Sequence, residues 1–284
     1  MSNPEEKNRI EKGTLYVVST PIGNLADISQ RAVKVLSEVD FVAAEDTRNS
    51  GKMLHFLGIS KPFVSYFEHN KAEKGPQIAE RLKNGESCAL VTDAGTPAVS
   101  DPGADLVKLC IEENISVTAV PGCCAAVNAL VLSGLDTRRF LFEGFLEGND
   151  ASRRRTLEEL SSVKRTMIFY EAPHRIKKTL EDLYEVFGDR KACVARELTK
   201  KHEEFIRAGL KALSEIDPET LKGEMVIVVE GSNGEEKPII GDNDLINMVK
   251  TMVESGMSTK DAIKKVSELT KINKNTIYKI YHLN

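Results

Sequence analysis

The sequence predicts an α/β protein: two α/β units in tandem, followed by a small all-α extension. Three observations carry that reading. Short β-rich runs alternate with stretches of helical period from residue 13 to residue 231, which implies a mainly parallel sheet with helices packed on it. A polar, glycine-containing stretch, 232–240, then reads as a linker. Beyond it, residues 241–284 show helical patterning only.

The first twelve residues are charged and lack an apolar run, so 1–12 is expected to be a disordered tail and not a signal peptide. The first unit, 13–121, opens with the strand LYVVST (15–20) and a proline–glycine break. Asp27 is placed to cap a helix whose apolar face is Ile28, Ala32, Val35 and Leu36. VDFVAA (39–44) is the next strand, and a helix with Met53, Leu54 and Leu57 inward ends at Gly58. PFVSYF (62–67) precedes a helix through Ile78, Ala79 and Leu82 that stops near Gly85. SCALVT (87–92) and ISVTAV (115–120) close the unit, with a helix through Leu106, Val107 and Cys110 between them. The second unit, 122–231, starts on an apolar helix from Ala125 to Leu132. RFLFEGF (139–145), TMIFYEA (166–172), KACVARE (191–197) and GEMVIVVEG (223–231) read as strands, with helices around 175–187 and 209–216. The extension, 241–284, has helical patterns through 245–253, 259–269 and 274–281, with Ser258 and Asn273 or Asn275 as caps.

The 284 residues are 41% hydrophobic and 29% charged, an ordinary globular balance in a chain long enough to bury a core without staples. With 39 basic and 43 acidic residues the net charge is −4, which excludes a wholly basic polyanion binder but not a local patch. The five cysteines form no CxxC and few histidines accompany them, so neither a disulfide framework nor a metal site is expected. The expected compartment is the reducing cytoplasm.

Every candidate site loop follows a strand, where open α/β sheets gather ligands. Ser19–Asn24 lacks the GxGxxG of a dinucleotide fold; it is a tight turn or a ligand loop. Glu45, Asp46 and Arg48 crowd the next strand end, as a cleft-facing cluster or with Asp46 merely capping a helix. Thr92–Gly103 holds two prolines, two glycines and two aspartates and lacks the GK[ST] of a phosphate loop. Such a loop presents many backbone groups with little bulk, which suits a small polar ligand rather than ATP. Val120–Ala126 is small-residue and opens a helix, leaving room for a ligand or allowing close helix–sheet packing. No histidine pairs with Cys123 or Cys124, which speaks against a thiol nucleophile. Basic residues from Arg153 to Lys201 form a polyanion face or an ordinary solvated one.

The same loops carry a resemblance. GTLYVVSTPIGNLADIS, AEDTR, TDAGTPAVSDPG, VPG, FYEAPHRI and ARELTKKHEE follow one another over roughly 13–231. Together they resemble the tetrapyrrole-methylase superfamily of S-adenosylmethionine (SAM) enzymes and, within it, the ribosomal RNA small subunit methyltransferase I family. The resemblance implies two α/β domains flanking a SAM cleft. It also implies 2'-O-methylation of a cytidine ribose in the decoding region of small-subunit (16S) ribosomal RNA, and a homodimer. By motif, it implies cofactor contacts from Pro21, from Asp93, Ala94, Gly95, Val99 and Ser100, from Cys124 and Ala125, and from Tyr170, Glu171 and Leu198. The superfamily's small-molecule branches carry Gly-Asp-Pro where this chain has Gly95-Thr96-Pro97, which leaves Thr96 without an assigned role. For the chemistry, Glu45, Asp46 and Arg48 are expected to face Arg196 and Glu197, with Glu171 and Lys200 as further proton-acceptor candidates. RNA contacts are expected from Arg153, Arg154, Arg155, His174, Arg175 and Lys200. The extension resembles a helix-turn-helix unit, and TKINKNTIYKIYH (270–282) is either a recognition helix or a packing module. A precorrin-like tetrapyrrole substrate is the alternative, and a DNA-reading regulator a weaker one. The AEDTR and FYEAPHRI motifs and the basic segment argue against the first, and the large α/β body against the second.

Overall fold

The computed structural model describes residues 9–234, 241–270, 272 and 274–283. Most of the expected tail, the linker residues 235–240 and the expected cap Asn273 lie outside the described residues.

Two five-stranded sheets form the body. The first holds β1 (Thr14–Val18), β2 (Phe41–Ala44), β3 (Phe63–Ser65), β4 (Cys88–Val91) and β5 (Ser116–Val120) in the order β3-β2-β4-β1-β5. All its pairings are parallel. Every residue of β2 and β4 is buried, as parallel strands covered on both faces must be. On one face Tyr16, Val42 and Val91 meet α1 (Gln30–Glu38) and α2 (Thr47–Phe56) through Val35, Leu36 and Leu54. On the other, Leu15, Phe41 and Leu90 meet α3 (Lys71–Lys83) and α4 (Gly103–Glu112) through Ile78, Leu82 and Leu106. The neighbouring strands β1 and β4 therefore send their chains to opposite faces. Their carboxyl ends part and leave a crevice at this switch point.

The second sheet contains β6 (Phe140–Phe145), β7 (Thr166–Glu171), β8 (Lys191–Arg196), β9 (Glu204–Gly209) and β10 (Met225–Val229), ordered β6-β7-β10-β8-β9. Only β6 and β7 run parallel; the other three pairings are antiparallel. The strand β9 has no counterpart in the sequence reading. It lies on the sheet edge and none of its residues is buried, so the alternation that marks a half-buried strand is blurred there. The helices α6 (Asp150–Leu160) and α7 (Ile176–Phe187) cover one face, with Leu157, Leu180 and Leu183 against Phe169, Val194 and Ile227. A short α8 (Leu210–Ser214) packs with them. On the opposite face α5 (Ala125–Ser133) sets Ala126, Ala129 and Leu130 on Ile168, Cys193 and Val228. Ile22 from the first sheet's loops and Leu198 from the second's join that same cluster, so the two sheets share one apolar seam.

Asp27 does not cap the first helix. It ends a 3-10 turn, Leu25–Asp27, capped by Asn24, and the α1 cap is Ser29, whose Oγ accepts from the Ala32 amide at 3.1 Å. The correction follows from reach, because an N-cap oxygen serves an amide two or three residues on. The extension forms α9 (Asp242–Glu254), α10 (Thr259–Thr270) and α11 (Lys274–Leu283) around Leu245, Val249, Ile263, Val266 and Ile277. Ser258 caps α10, accepting from the Asp261 amide at 3.2 Å and donating to its carboxylate at 2.6 Å. Asn275 falls inside α11 and is not its cap.

Candidate active site

A cavity of about 410 Å³ occupies the crevice, within the roughly 300–1,000 Å³ of small-molecule sites. Both sheets build its wall: Ile22, Gly95 and Val99 from the first, Cys124 and Ala125 at the start of α5, and Tyr170, Leu198 and Met225 from the second.

The loop after β4 is fixed on three sides. The Thr20 amide donates to the Gly95 carbonyl at 2.8 Å, and the Gly95 amide returns a bond to the Thr20 carbonyl at 3.1 Å. Thr96 Oγ1 donates to the Cys123 carbonyl at 2.9 Å and lies 3.0 Å from Ser19 Oγ. Thr96 thus ties together the loops after β1, β4 and β5, which gives the residue a structural role. Asp101 Oδ1 accepts from the amides of Ala98 and Gly103, both at 2.8 Å. It closes the loop over Ala98 (φ 68°) and Ser100 (φ 63°), two non-glycine residues held left-handed, a strain of about 1–3 kcal/mol each. Gly95 (φ 86°) has no such penalty, and a Cβ there would stand 3.2 Å from Ile22 Cγ2.

The second sheet supplies an aromatic side. The Tyr170 ring meets Phe142 edge-on at 5.0 Å and Phe145 at 5.5 Å, and its hydroxyl accepts from the Ala126 amide at 3.3 Å. Burial pushes the phenol up to about 12, so it stays neutral. Glu171 lines the cavity, but its oxygens are used within its own domain. Oε2 accepts from Thr179 Oγ1 at 2.5 Å, Oε1 accepts from the Ala172 amide at 2.8 Å, and Arg175 Nε lies 3.4 Å away. Three of the roughly four acceptor sites of this carboxylate are thus engaged inside its own domain.

The first sheet supplies three of the cavity's five carboxylates. Glu45, Asp93 and Asp101 all line the cavity. Partial burial first, then repulsion from Asp93, Asp101 and Asp46, raises the Glu45 carboxyl above its ordinary value. Asn49 Nδ2 steadies Asp93 by donating to Oδ2 at 3.1 Å.

The other expected catalytic residues do not line the cavity. Asp46 caps α2, with Oδ1 accepting from the Arg48 amide at 2.8 Å while the guanidinium folds back on Oδ2 at 2.8 Å. Those bonds hold the Asp46 carboxyl down at about 2. Arg196 donates to Glu204 at 2.6 Å across β8 and β9, and Glu197 accepts from Lys200 Nζ at 3.0 Å. Asp46 and Arg48 thus pair with each other, Arg196 with Glu204 and Glu197 with Lys200, and none of the four expected residues is on the cavity wall. Lys200 also reaches Glu224, a cavity residue, at 3.5 Å. Burial works against the Lys200 charge, but Glu197 and Glu224 outweigh it and hold its amine above the ordinary value. Lys200 is a cation here and not a base. Pro21 is off the wall, and its neighbour Ile22 is on it.

The RNA-contact expectation divides. Arg153 is 2% exposed and paired with Asp182 at 2.7 Å and Asp150 at 2.6 Å, so it is corrected to a structural residue. Arg175 donates to the carbonyls of Leu146 at 2.7 Å and Glu147 at 3.2 Å, besides Glu171, and is likewise committed inward. Arg154 is half-exposed and bridges Glu158 and Glu185. Arg155 and His174 are exposed and form no ion pair among the described residues.

Sequence reasoning passed over Phe145, Glu224, Met225 and Val226, which also line the cavity. The last three sit at the start of β10, beside β7 and β8, a juxtaposition made by strand order and invisible in spacing. Asp101 had a signal, standing two residues before Gly103 in a loop with two prolines. Among the described residues no group of three or more His, Cys, Asp or Glu is placed to hold a metal ion, and no helix is long and apolar enough to cross a membrane.

The chain is similar to known proteins in both sequence and fold. The Tetrapyrrole (Corrin/Porphyrin) Methylases family matches residues 14–214. The chain is 46% identical to a ribosomal RNA small subunit methyltransferase I from Halalkalibacterium halodurans, over 97% of each chain. It is 43% identical to one from Synechocystis, over 94% of this chain and 97% of that one. Among solved structures, a diphthine synthase superposes with a TM-score of 0.61 at 18% identity, covering 76% of this chain and 89% of that one. A uroporphyrin-III C-methyltransferase from Thermus thermophilus complexed with S-adenosyl homocysteine gives 0.55 at 16% identity, covering 76% and 96%. At those identities the structural likeness concerns the fold alone.

Proposed function

Because the chain belongs to the tetrapyrrole methylases and, among them, to the ribosomal RNA small subunit methyltransferase I family, we propose that it methylates a cytidine ribose of small-subunit ribosomal RNA. The methyl donor is SAM, the acceptor is the 2'-hydroxyl, and the nucleotide lies in the decoding region. The observation that supports this most is a two-walled cavity with carboxylates on both walls and aromatic rings on one, in a chain aligned almost end to end with relatives of that name.

The residues present fit SAM. Asp93 and Asp101 suit a ligand with a positive sulfonium and ammonium, while Ala94 and Gly95 admit close backbone approach. Val99, Ser100, Cys124, Ala125, Tyr170 and Leu198 would complete its enclosure. When bound, SAM supplies an activated methyl group on sulfur whose leaving group is neutral.

The chain's own part is alignment and proton handling. Fixing donor and acceptor in one geometry removes much of the entropic barrier, and the threefold tie at Thr96 and the twofold cap at Asp101 make that wall rigid. A ribose hydroxyl is a weak nucleophile, so a nearby base helps. Glu45 serves as that base, since its raised carboxyl is matched to accepting a proton closer to neutrality. Lys200 holds a phosphate of the RNA backbone at the cavity edge. A homodimer and a cytoplasmic location complete the proposal, and light scattering on the purified chain tests the first.

The test is methyl transfer from labelled SAM to assembled small subunits, to naked ribosomal RNA and to a tetrapyrrole. Label in either RNA sample is the expected result. Label in the tetrapyrrole alone returns the chain to the small-molecule branch.

A further inference from the structure

The cleft carries an aromatic side chain that the fold leaves uncovered. Phe145 lines the cavity yet keeps 57% of its surface exposed. The apolar floor beside it is closed, with Ile22 and Leu198 each 7% exposed, Met225 3% and Val226 4%. A small ligand enclosed by that floor leaves Phe145 on the outer edge, where a larger second ligand meets the first.

Several features put the ring there and keep it still. The edge strand β6 breaks register with β7 between Phe142 and Gly144, and a bulge of this kind re-aims the side chains that follow it. Gly144 supplies the left-handed backbone (φ 66°), and Ser100 Oγ lies 2.5 Å from where a Cβ on Gly144 would stand. The loop after β4 thus presses on the bulge from the first domain. Beyond Phe145, Arg175 clasps the carbonyls of Leu146 and Glu147. Tyr170 holds one side of the ring at 5.5 Å and 59°. A ring fixed in this way loses little freedom when a second planar group stacks on it.

We infer that Phe145 is the platform on which the base of the target nucleotide stacks while its ribose enters the cleft, an inference that rests on the RNA reading above. A splayed single nucleotide offers a free base face. Stacking tolerates any base, so Phe145 anchors the nucleotide and leaves the choice of cytidine to other groups.

The experiment compares Phe145→Ala, Phe145→Leu, Phe145→Tyr and Phe145→Trp in the full chain. It measures the SAM dissociation constant by calorimetry and KM for small-subunit RNA by labelled methyl transfer. The alanine and leucine variants should raise the RNA KM about ten-fold or more with SAM affinity unchanged, and tyrosine and tryptophan should restore it. Leucine keeps the apolar bulk, so it reads out the π-face even where alanine fails to fold. An unchanged RNA KM in the leucine variant overturns the inference. So does an equal loss of SAM affinity, which would assign the ring to the adenine of the cofactor. A wild-type protein that methylates no RNA defeats the functional reading itself, and that control separates the two failures.

Discussion

Glu45 is the residue whose environment says most about its role. Its carboxyl is raised by partial burial and by three acidic neighbours. If the ionised form is required, activity falls as pH drops through that raised value, at a higher pH than an ordinary carboxylate would give. Asp101→Asn keeps the oxygen that accepts from Ala98 and Gly103 but removes one repelling charge. It should therefore lower the Glu45 pKa and extend activity to more acid pH, while Glu45→Gln abolishes the acid limb. A kcat profile unmoved in both variants contradicts the role of Glu45. Arg153 shows a different lesson. Read as a run, Arg153-Arg154-Arg155 is one basic surface. Read at helical spacing, Arg153 shares a stripe with Leu157 and Leu160, and that stripe is the buried one. Arg153→Ala leaves Asp182 buried with Lys178 as its one remaining ion-pair partner among the described residues, so it should cost about 3 kcal/mol of stability. Arg155→Glu should leave the melting temperature alone, weaken RNA binding and flatten its salt dependence. Thermal melts with salt-dependent RNA titrations check both, and equal melting points for the two variants contradict the assignment of Arg153.

At the scale of elements, the loops after β1 and β8 close the cleft by touching. A Cβ on Gly23 would stand 2.9 Å from both the Leu198 carbonyl and Thr199 Oγ1. The carbonyl belongs to backbone and cannot swing aside, so Gly23→Ala should push the two domains apart at the floor of the site. Overpacking of this kind costs about 1–3 kcal/mol, and SAM affinity should fall roughly ten-fold, as calorimetry would show; unchanged affinity contradicts the contact. The first sheet was legible because its strands are short apolar runs between helices of clear period, as in VDFVAA and SCALVT. Their parallel pairing follows from the helices between them. The second sheet was less legible. Its β8–β9 hairpin includes an edge strand with no buried residue, and β10 inserts between β7 and β8 from far along the chain. The site divides the same way. Loops rich in glycine and proline announced Asp93, Gly95 and Ser100, whereas Glu224, Met225 and Val226 reach the cavity through strand order.

The molecule as a whole is a body of two sheets sharing an apolar seam, with a helical unit that keeps its own core. Leu245, Val249, Ile263 and Ile277 pack among themselves and join none of the body's clusters. A chain ending at Gly234 should therefore bind SAM as the full chain does, which calorimetry on the shortened protein checks; loss of binding would tie the extension to the cleft. In the proposed reaction the two walls deliver a methyl group to a ribose oxygen. Alkaline hydrolysis of the methylated RNA tests it most directly, because cleavage needs a free 2'-hydroxyl. All the label should appear in an alkali-resistant dinucleotide that yields 2'-O-methylcytidine on enzymatic digestion. Label released in mononucleotides, with the methyl group on a base, would contradict it.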